Sequence, residues 1–304
     1  MKNIILIVSV LFIVVSCDVI DGNVLENEGV PGPVDTTGND TVEKSFAKKI
    51  LIEEYTGHKC GNCPGGARTV ADLKAQDQYK DKLAVISIHA GSLANWAPPG
   101  APKFTTNFTT ALGDALDQEF GVSLTGIPRG LVNREEIGGS KLVLPGTFEQ
   151  SIQDILEEPN TFVAITGNLS FDENSKTISA SISSHFNAIV YEDLNISVYV
   201  TEDSIIDWQK NYVNTGDPNY PVGDIEEYVH MHVLRGSMNG TWGDLLNESA
   251  GMSIEEGAII SKAYTYQLED GYDPYFCNVI AFVYDTETDA IIQVREWHLK
   301  DIID

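Results

Sequence analysis

Cys60 and Cys63 are separated by Gly61 and Asn62, and two cysteines at that spacing have two chemistries open to them. The first is thiol–disulfide chemistry. If a helix begins at the second cysteine, its first turn brings the two sulfurs within bonding range. A thiolate there lies among unpaired backbone N–H groups at the positive end of the helix dipole. Cysteines so placed have pKa values lowered from about 8.5 to between ~3.5 and ~7.5, and the neighbouring His58 and Lys59 add to that effect. The second chemistry is zinc binding. Zinc needs two further ligands, and neither a second Cys-x-x-Cys nor a local His/Cys pair accompanies the motif.

Several elements must position these cysteines. Ala47 to Tyr55 reads as a β-strand centred on Ile50, Leu51 and Ile52, followed by a turn over Thr56-Gly57-His58-Lys59. A helix is expected from Cys63 or Pro64 towards Ala75, since proline in a first turn lacks only an N–H that would have had no partner. Leu83 to His89 reads as a second buried strand, and residues 91–110 as a loop rich in Pro, Gly and Thr. Ala111 to Phe120 reads as a helix, Arg129 to Asn133 as a third strand, and Thr147 to Leu156 as an amphipathic helix with Phe148, Ile152, Ile155 and Leu156 on one side. Strands alternating with helices indicate an α/β layer structure.

After Pro159 the helices give way to strand-like runs at 162–171, 177–186, 194–201, 228–234, 258–268, 276–284 and 290–297. Short strands separated by turns predict an all-β, immunoglobulin-like sandwich. The expected architecture is therefore an α/β domain over residues 45–158 followed by a β-sandwich domain over residues 159–304, with no internal repeat.

The N-terminus reads as a targeting segment. Lys2 precedes an apolar run from Ile4 to Val15, too short to span a bilayer but suited to an export signal. Val14-Val15-Ser16-Cys17 resembles the lipobox of bacterial lipoproteins. That resemblance implies a signal peptide over residues 1–16, cleavage before Cys17 and lipidation of Cys17. Residues 17–44, rich in Gly, Pro, Asp, Asn and Thr, read as a flexible tether that cannot bury enough surface to offset its ordering entropy. Outside the cytosol paired cysteines persist as disulfides. With Cys17 lipidated, Cys60 and Cys63 can pair while Cys277 stands alone.

Of the 304 residues, 42% are hydrophobic and 21% charged, as in a globular protein. Asp and Glu number 45 against 19 Lys and Arg, a formal charge of -26. Such a surface repels phosphate backbones, and no basic cluster offsets it, so nucleic acid is not an expected partner.

Ile50-Leu51-Ile52-Glu53-Glu54-Tyr55-Thr56-Gly57 with Cys60-Gly61-Asn62-Cys63-Pro64 resembles the first active-site strand, loop and helix of the thioredoxin superfamily. Phe120-Gly121-Val122 and Gly126-Ile127-Pro128 resemble the segment leading to that superfamily's cis-proline. The resemblance implies that Pro128 is cis and packs beside the disulfide, and that Ile127 offers backbone hydrogen bonds to an extended polypeptide. It also places a buried acid, Glu54, six residues before Cys60, where it helps to deprotonate the resolving Cys63. Burial inside a strand would raise the pKa of that carboxyl; the alternative is that Glu53 and Glu54 both lie at a sheet surface. Glu53 points to the opposite face and is expected to be solvated. Lys59 and Pro64 depart from the thioredoxin pattern, which has tryptophan and a basic residue there.

Within that superfamily the sequence is similar to the Omp28-related outer membrane lipoproteins of Bacteroidetes. The lipobox, the acidic spacer, Glu53-Glu54-Tyr55-Thr56-Gly57, Cys63-Pro64, Val233-Leu234-Arg235-Gly236 and Asn239-Gly240-Thr241-Trp242-Gly243 carry the likeness. It implies an outer-membrane, lipid-anchored protein facing the periplasm or the cell surface, with an envelope or surface protein as partner. Two functions fit: a thiol–disulfide oxidoreductase in which Cys60 attacks and Cys63 resolves, or a binding or adhesion lipoprotein in which the disulfide is a staple.

Elsewhere the expectations are structural. His230 and His232 alternate in an expected strand and would face one way, but no partner ligand is evident, so no metal is expected. Cys277 reads as a buried free thiol, and His89 as a hydrogen-bonded strand residue. No motif calls for a cofactor.

Overall fold

Strand β1 (Ile50–Thr56) is buried over almost its whole length, and its side chains alternate between two apolar layers. Ile50 and Ile52 pack with Val70, Leu73, Phe148 and Ile152, whereas Leu51 and Tyr55 pack with Leu112 and Leu116. This alternation sends Glu54 towards the first layer and Glu53 towards the second. The computed structural model describes residues 45–303 except 215, 217 and 219. The expected signal peptide, the tether and Cys17 lie outside the described residues.

Among the described residues five α-helices flank or cap the sheets: α1 (Cys63–Ala75), α2 (Ala111–Phe120), α3 (Val122–Thr125), α4 (Phe148–Ile155) and α5 (Lys300–Ile303). Helix α1 starts at the second cysteine, with Pro64 in its first turn and no side-chain cap from Asn62. Gly65 and Gly66 weaken it by about 1 kcal/mol each relative to alanine. Burial of Val70 and Leu73, at ~1.5–3 kcal/mol apiece, outweighs that cost.

The other strands are β2 (Leu83–His89), β3 (Arg129–Val132), β4 (Val163–Asp172), β5 (Thr177–Phe186), β6 (Leu194–Glu202), β7 (Ile205–Asn211), β8 (Gly223–His230), β9 (Val233–Ser237), β10 (Asp244–Leu245), β11 (Ile259–Gln267), β12 (Cys277–Asp285) and β13 (Ile291–His298). One mixed sheet runs in the order β13-β12-β6-β9-β2-β1-β3, with β10 also on β6. Strand β1 is parallel to β2, with Glu54 opposite Ser87, and antiparallel to β3, with Glu54 opposite Gly130. A second sheet, β11-β5-β4, packs on β6 and β12 through a core that includes Ile178, Ile182, Val198 and Val279. Strands β7 and β8 form a separate hairpin.

The main sheet therefore crosses residue 158, and residues 42–304 form one compact unit. The self-contained immunoglobulin-like sandwich expected for 159–304 is not formed. Its central strands extend the sheet that β1, β2 and β3 begin. The reason is visible in β12, where eight consecutive residues from Cys277 to Tyr284 are buried. Val279 and Ala281 face the second sheet, while Ile280 and Phe282 face the α2 layer. A strand covered on both faces reads as a continuous apolar run, not as the alternation of a half-solvated sandwich strand.

Candidate functional site

Cys60 and Cys63 form a disulfide at the N-terminus of α1, with Cα atoms 5.4 Å apart. The Ile127–Pro128 peptide bond is cis, and Cys60 Sγ lies 3.6 Å from the Ile127 carbonyl oxygen. Gly66 sits where α1 crosses β1. A Cβ there would come within 2.6 Å of Glu54 Oε1 and 3.1 Å of Pro128 Cβ, so the bare backbone lets the helix close over both. The structure thus brings together Cys60, Cys63, Glu54, Ile127 and Pro128.

Glu54 is buried, and its Oε1 has no hydrogen-bond partner. Burial pushes its pKa up to about 8, so the carboxyl carries its proton at neutral pH. Glu54 and Cys63 also line one small cavity of about 20 Å³, a volume on the scale of a single water molecule.

Neither sulfur-bearing residue is open to solvent: Cys60 and Cys63 are each 2% exposed. The cover is the end of β7, over which no strand is expected from the sequence. Lys210 donates its main-chain N–H to the His58 carbonyl at 2.8 Å, and Tyr212 does so to Gly61 at 2.7 Å. The buried Gln209 side-chain amide donates to the Cys60 carbonyl at 3.0 Å and to that of Gly57 at 3.3 Å. Further out, Lys103 pairs with Asp224 at 2.9 Å, and the Thr106 hydroxyl donates to Asp207. The mixed polarity of Asp207-Trp208-Gln209-Lys210 hides this strand from a periodicity argument. Its buried Gln209 serves the cysteine loop, and its buried Asn211 holds the carbonyls of Val213, Tyr220 and Pro221.

Three histidines lie behind the disulfide in an aromatic cluster. The His89 ring centroid is 4.8 Å from Phe108 and 5.7 Å from His230, and His58 lies 5.5 Å from Phe104. Burial lowers the pKa of all three, that of His230 to about 4. The hydrogen bond expected of His89 is absent, since neither of its ring nitrogens has a partner. The expected strand over 228–234 is interrupted: β8 ends at His230, and His232 turns the chain with φ 59°. His230 therefore joins the buried cluster, while His232 Nδ1 sits 3.0 Å from Asp203. Among the described residues no group of three or more His, Cys, Asp or Glu side chains is arranged to hold a metal ion.

Glu53 does lie on the opposite face from Glu54, but it is not solvated. It is buried and accepts two hydrogen bonds from Arg134, 2.7 Å from Nε and 2.6 Å from Nη2. The guanidinium lies 5.0 Å over Phe120 and 5.2 Å over Phe282. Cys277 is a buried free cysteine whose thiol pKa is pushed up chiefly by burial.

The class that fold and site define is a mixed-sheet α/β protein with a cystine at the start of a helix, opposite a cis-proline and above a buried acid. The chain belongs to the Omp28 family: the family described as outer membrane protein Omp28 matches residues 113–301. That match takes in Ile127 and Pro128 and begins after both cysteines and Glu54. HBP35 of Porphyromonas gingivalis shares the fold, at 22% identity and a TM-score of 0.59, over 84% of this chain and 76% of that one. A protein of Agrobacterium tumefaciens aligns at 12% identity with a TM-score of 0.46, over 84% and 96% of the two chains. A domain of the outer membrane lipoprotein Omp28 from Porphyromonas gingivalis aligns at 20% identity with a TM-score of 0.30, over 45% and 88%. No curated protein matches the sequence. Among the described residues no helix is long and apolar enough to cross a membrane.

Proposed function

We propose that this Omp28-family protein is a lipid-anchored, thioredoxin-like thiol–disulfide oxidoreductase of the cell envelope, held to the outer membrane through Cys17. The observation that carries the reading is Glu54, a buried carboxyl with an unpartnered Oε1 beneath a cystine that faces cis-Pro128. In the reduced protein the Cys60 thiolate attacks one sulfur of a substrate disulfide and expels the other as a thiolate. Glu54 then releases its own proton to solvent and as carboxylate takes the Cys63 proton, and the Cys63 thiolate attacks Cys60 in the mixed disulfide, releasing the second substrate thiolate. The substrate gains two electrons, and Cys60 and Cys63 end as the cystine. Ile127 supplies backbone hydrogen bonds to an extended envelope polypeptide lying beside Cys60.

Measurement of the Cys60/Cys63 reduction potential tests this reading. A value between about -270 and -120 mV is expected for exchange, whereas one below about -300 mV marks a structural bond. Insulin reduction by wild type and by Cys60→Ser adds the kinetic arm, and equal rates would remove the enzyme. A second reading, a binding lipoprotein stapled by its disulfide, is favoured by one observation: the cover of β7 over a Cys60 that is 2% exposed.

A further inference from the structure

Between α1 and β8 lies a cavity of about 520 Å³ that disulfide exchange does not use. Pockets for small organic ligands span ~300–1,000 Å³, with mainly apolar walls and a few placed polar groups. This cavity has that composition. Ala67 and Val70 of α1 and Tyr228 of β8 form its walls, and Val229 and Met231, 36% and 41% exposed, border it. Exposed apolar side chains beside a concavity are surface that a bound molecule would remove from water.

Glu54 also lines this cavity, and its buried Oε1 lacks any hydrogen-bond partner. An unpartnered buried carboxyl oxygen is costly to the fold, so a ligand that satisfies it gains on binding. The basic side chains around the cavity do not satisfy it. Lys74 is turned to Glu296 at 3.8 Å, Arg68 lies over the Tyr220 ring at 5.8 Å, and His232 is held by Asp203. Two tyrosine rings, Tyr220 and Tyr228, meet edge to face at 5.6 Å in the cavity wall. Their electron-rich faces attract cations, and the -26 charge of the chain concentrates cations at its surface.

We propose that this cavity binds a small organic cation, an apolar or aromatic body with a single ammonium group, seated with its ammonium on the Glu54 carboxylate and its body against the tyrosine pair in the wall. The proton leaves Glu54 for solvent as the ion pair forms, and no bond within the ligand changes. Occupancy engages the carboxyl that the exchange reaction would need, but binding itself does not depend on any redox activity.

The test is calorimetric titration of the disulfide-bonded full chain with 2-phenylethylammonium chloride at pH 8, and with 2-phenylethanol as the uncharged counterpart. The expected result is one saturable site for the ammonium, with the alcohol at least tenfold weaker. Glu54→Gln should weaken the ammonium at least tenfold. Ala71→Phe, which adds a ring from the exposed side of α1 into the cavity, should abolish binding without touching Glu54. If Glu54→Gln does not fold, Ala71→Phe and the alcohol decide. The proposal is overturned by a lack of saturable ammonium binding, by undiminished binding in Ala71→Phe or in folded Glu54→Gln, or by alcohol binding as tight as the ammonium's. Because the readout is heat of binding, any of these results leaves the disulfide-exchange reading standing.

Discussion

Tyr212 donates its main-chain N–H to the Gly61 carbonyl, and its ring occupies the space into which a Gly61 side chain would project. The end of β7 is thus fitted to a glycine inside the Cys-x-x-Cys motif itself. Gln209 fastens the same strand to the carbonyls of Gly57 and Cys60. With Cys60 2% exposed, any reagent that attacks its sulfur must get past this cover.

Loosening the cover should therefore speed reduction of the cystine. Gln209→Ala removes donors to buried carbonyls, and Gly61→Ala places a methyl against the Tyr212 ring. A lost buried hydrogen bond is worth about 1–3 kcal/mol, and every ~1.4 kcal/mol is tenfold in the open population. Each variant should be reduced by dithiothreitol about tenfold faster than wild type, read by quenched thiol labelling. Unchanged rates in both would show that attack on Cys60 does not require β7 to move.

Arg134 and Glu53 form a two-bond ion pair with both side chains out of water, and their removal should be asymmetric. Arg134→Met leaves a buried, unpaired carboxylate and should cost about 3–5 kcal/mol in urea denaturation. The double variant Glu53→Gln with Arg134→Met should be less destabilised than the sum of the two single ones, because the pair couples them. Strict additivity would mean that the contact contributes nothing to the fold.

Much of this centre was legible in the sequence because its signals are local. Pro64 at a helix start and apolar runs such as Leu83–His89 fix elements whatever surrounds them, and α1 spans Cys63–Ala75 as its start signal predicts. The positions of Ile127 and Pro128 followed from a motif, and the cis bond is present. What stayed hidden depends on distant partners. Glu53 reads as a solvated acid because Arg134, the group that permits its burial, lies 81 residues away. Strand β7 carries few apolar residues because it is held by side-chain and main-chain hydrogen bonds to the cysteine loop. The break at His232 between β8 and β9 rests on a left-handed backbone that a histidine adopts under the pull of Asp203, its main-chain N–H donating to that carboxylate at 2.7 Å. The two-domain division failed for a related reason: apolar runs announce strands but do not say which sheet they join.

The buried thiol of Cys277 should behave as an inert apolar side chain. Its pKa is raised first by burial and further by Glu202, so almost no thiolate forms near neutral pH. In a Cys17→Ser background, the native oxidised protein should show no thiol reactive to a disulfide reagent over minutes. Reduction should expose two, and the third should appear only on unfolding in urea. A fast-reacting thiol in the oxidised native protein would contradict the packing around β12.

Glu54 should impose a pH dependence on stability that Glu54→Gln abolishes. The ordinary carboxyl value is near 4.5, and in the fold burial raises it to about 8. Between those limits the folded protein holds a proton that the unfolded chain has released, so folding takes up a proton and stability falls as pH rises. The contribution is fully present below about 4.5 and is lost as pH climbs through about 8. Glutamine cannot ionise, and the titrations of His58, His89 and His230 are common to both proteins. The stability of Glu54→Gln relative to wild type, both kept oxidised, should therefore grow from pH 5 to pH 8 by up to ~1.4 kcal/mol per unit. Urea denaturation at unit steps of pH measures it. A difference that stays constant over that range would mean the carboxyl ionises in the fold as it does in water, and Glu54 would then be no proton store for Cys63.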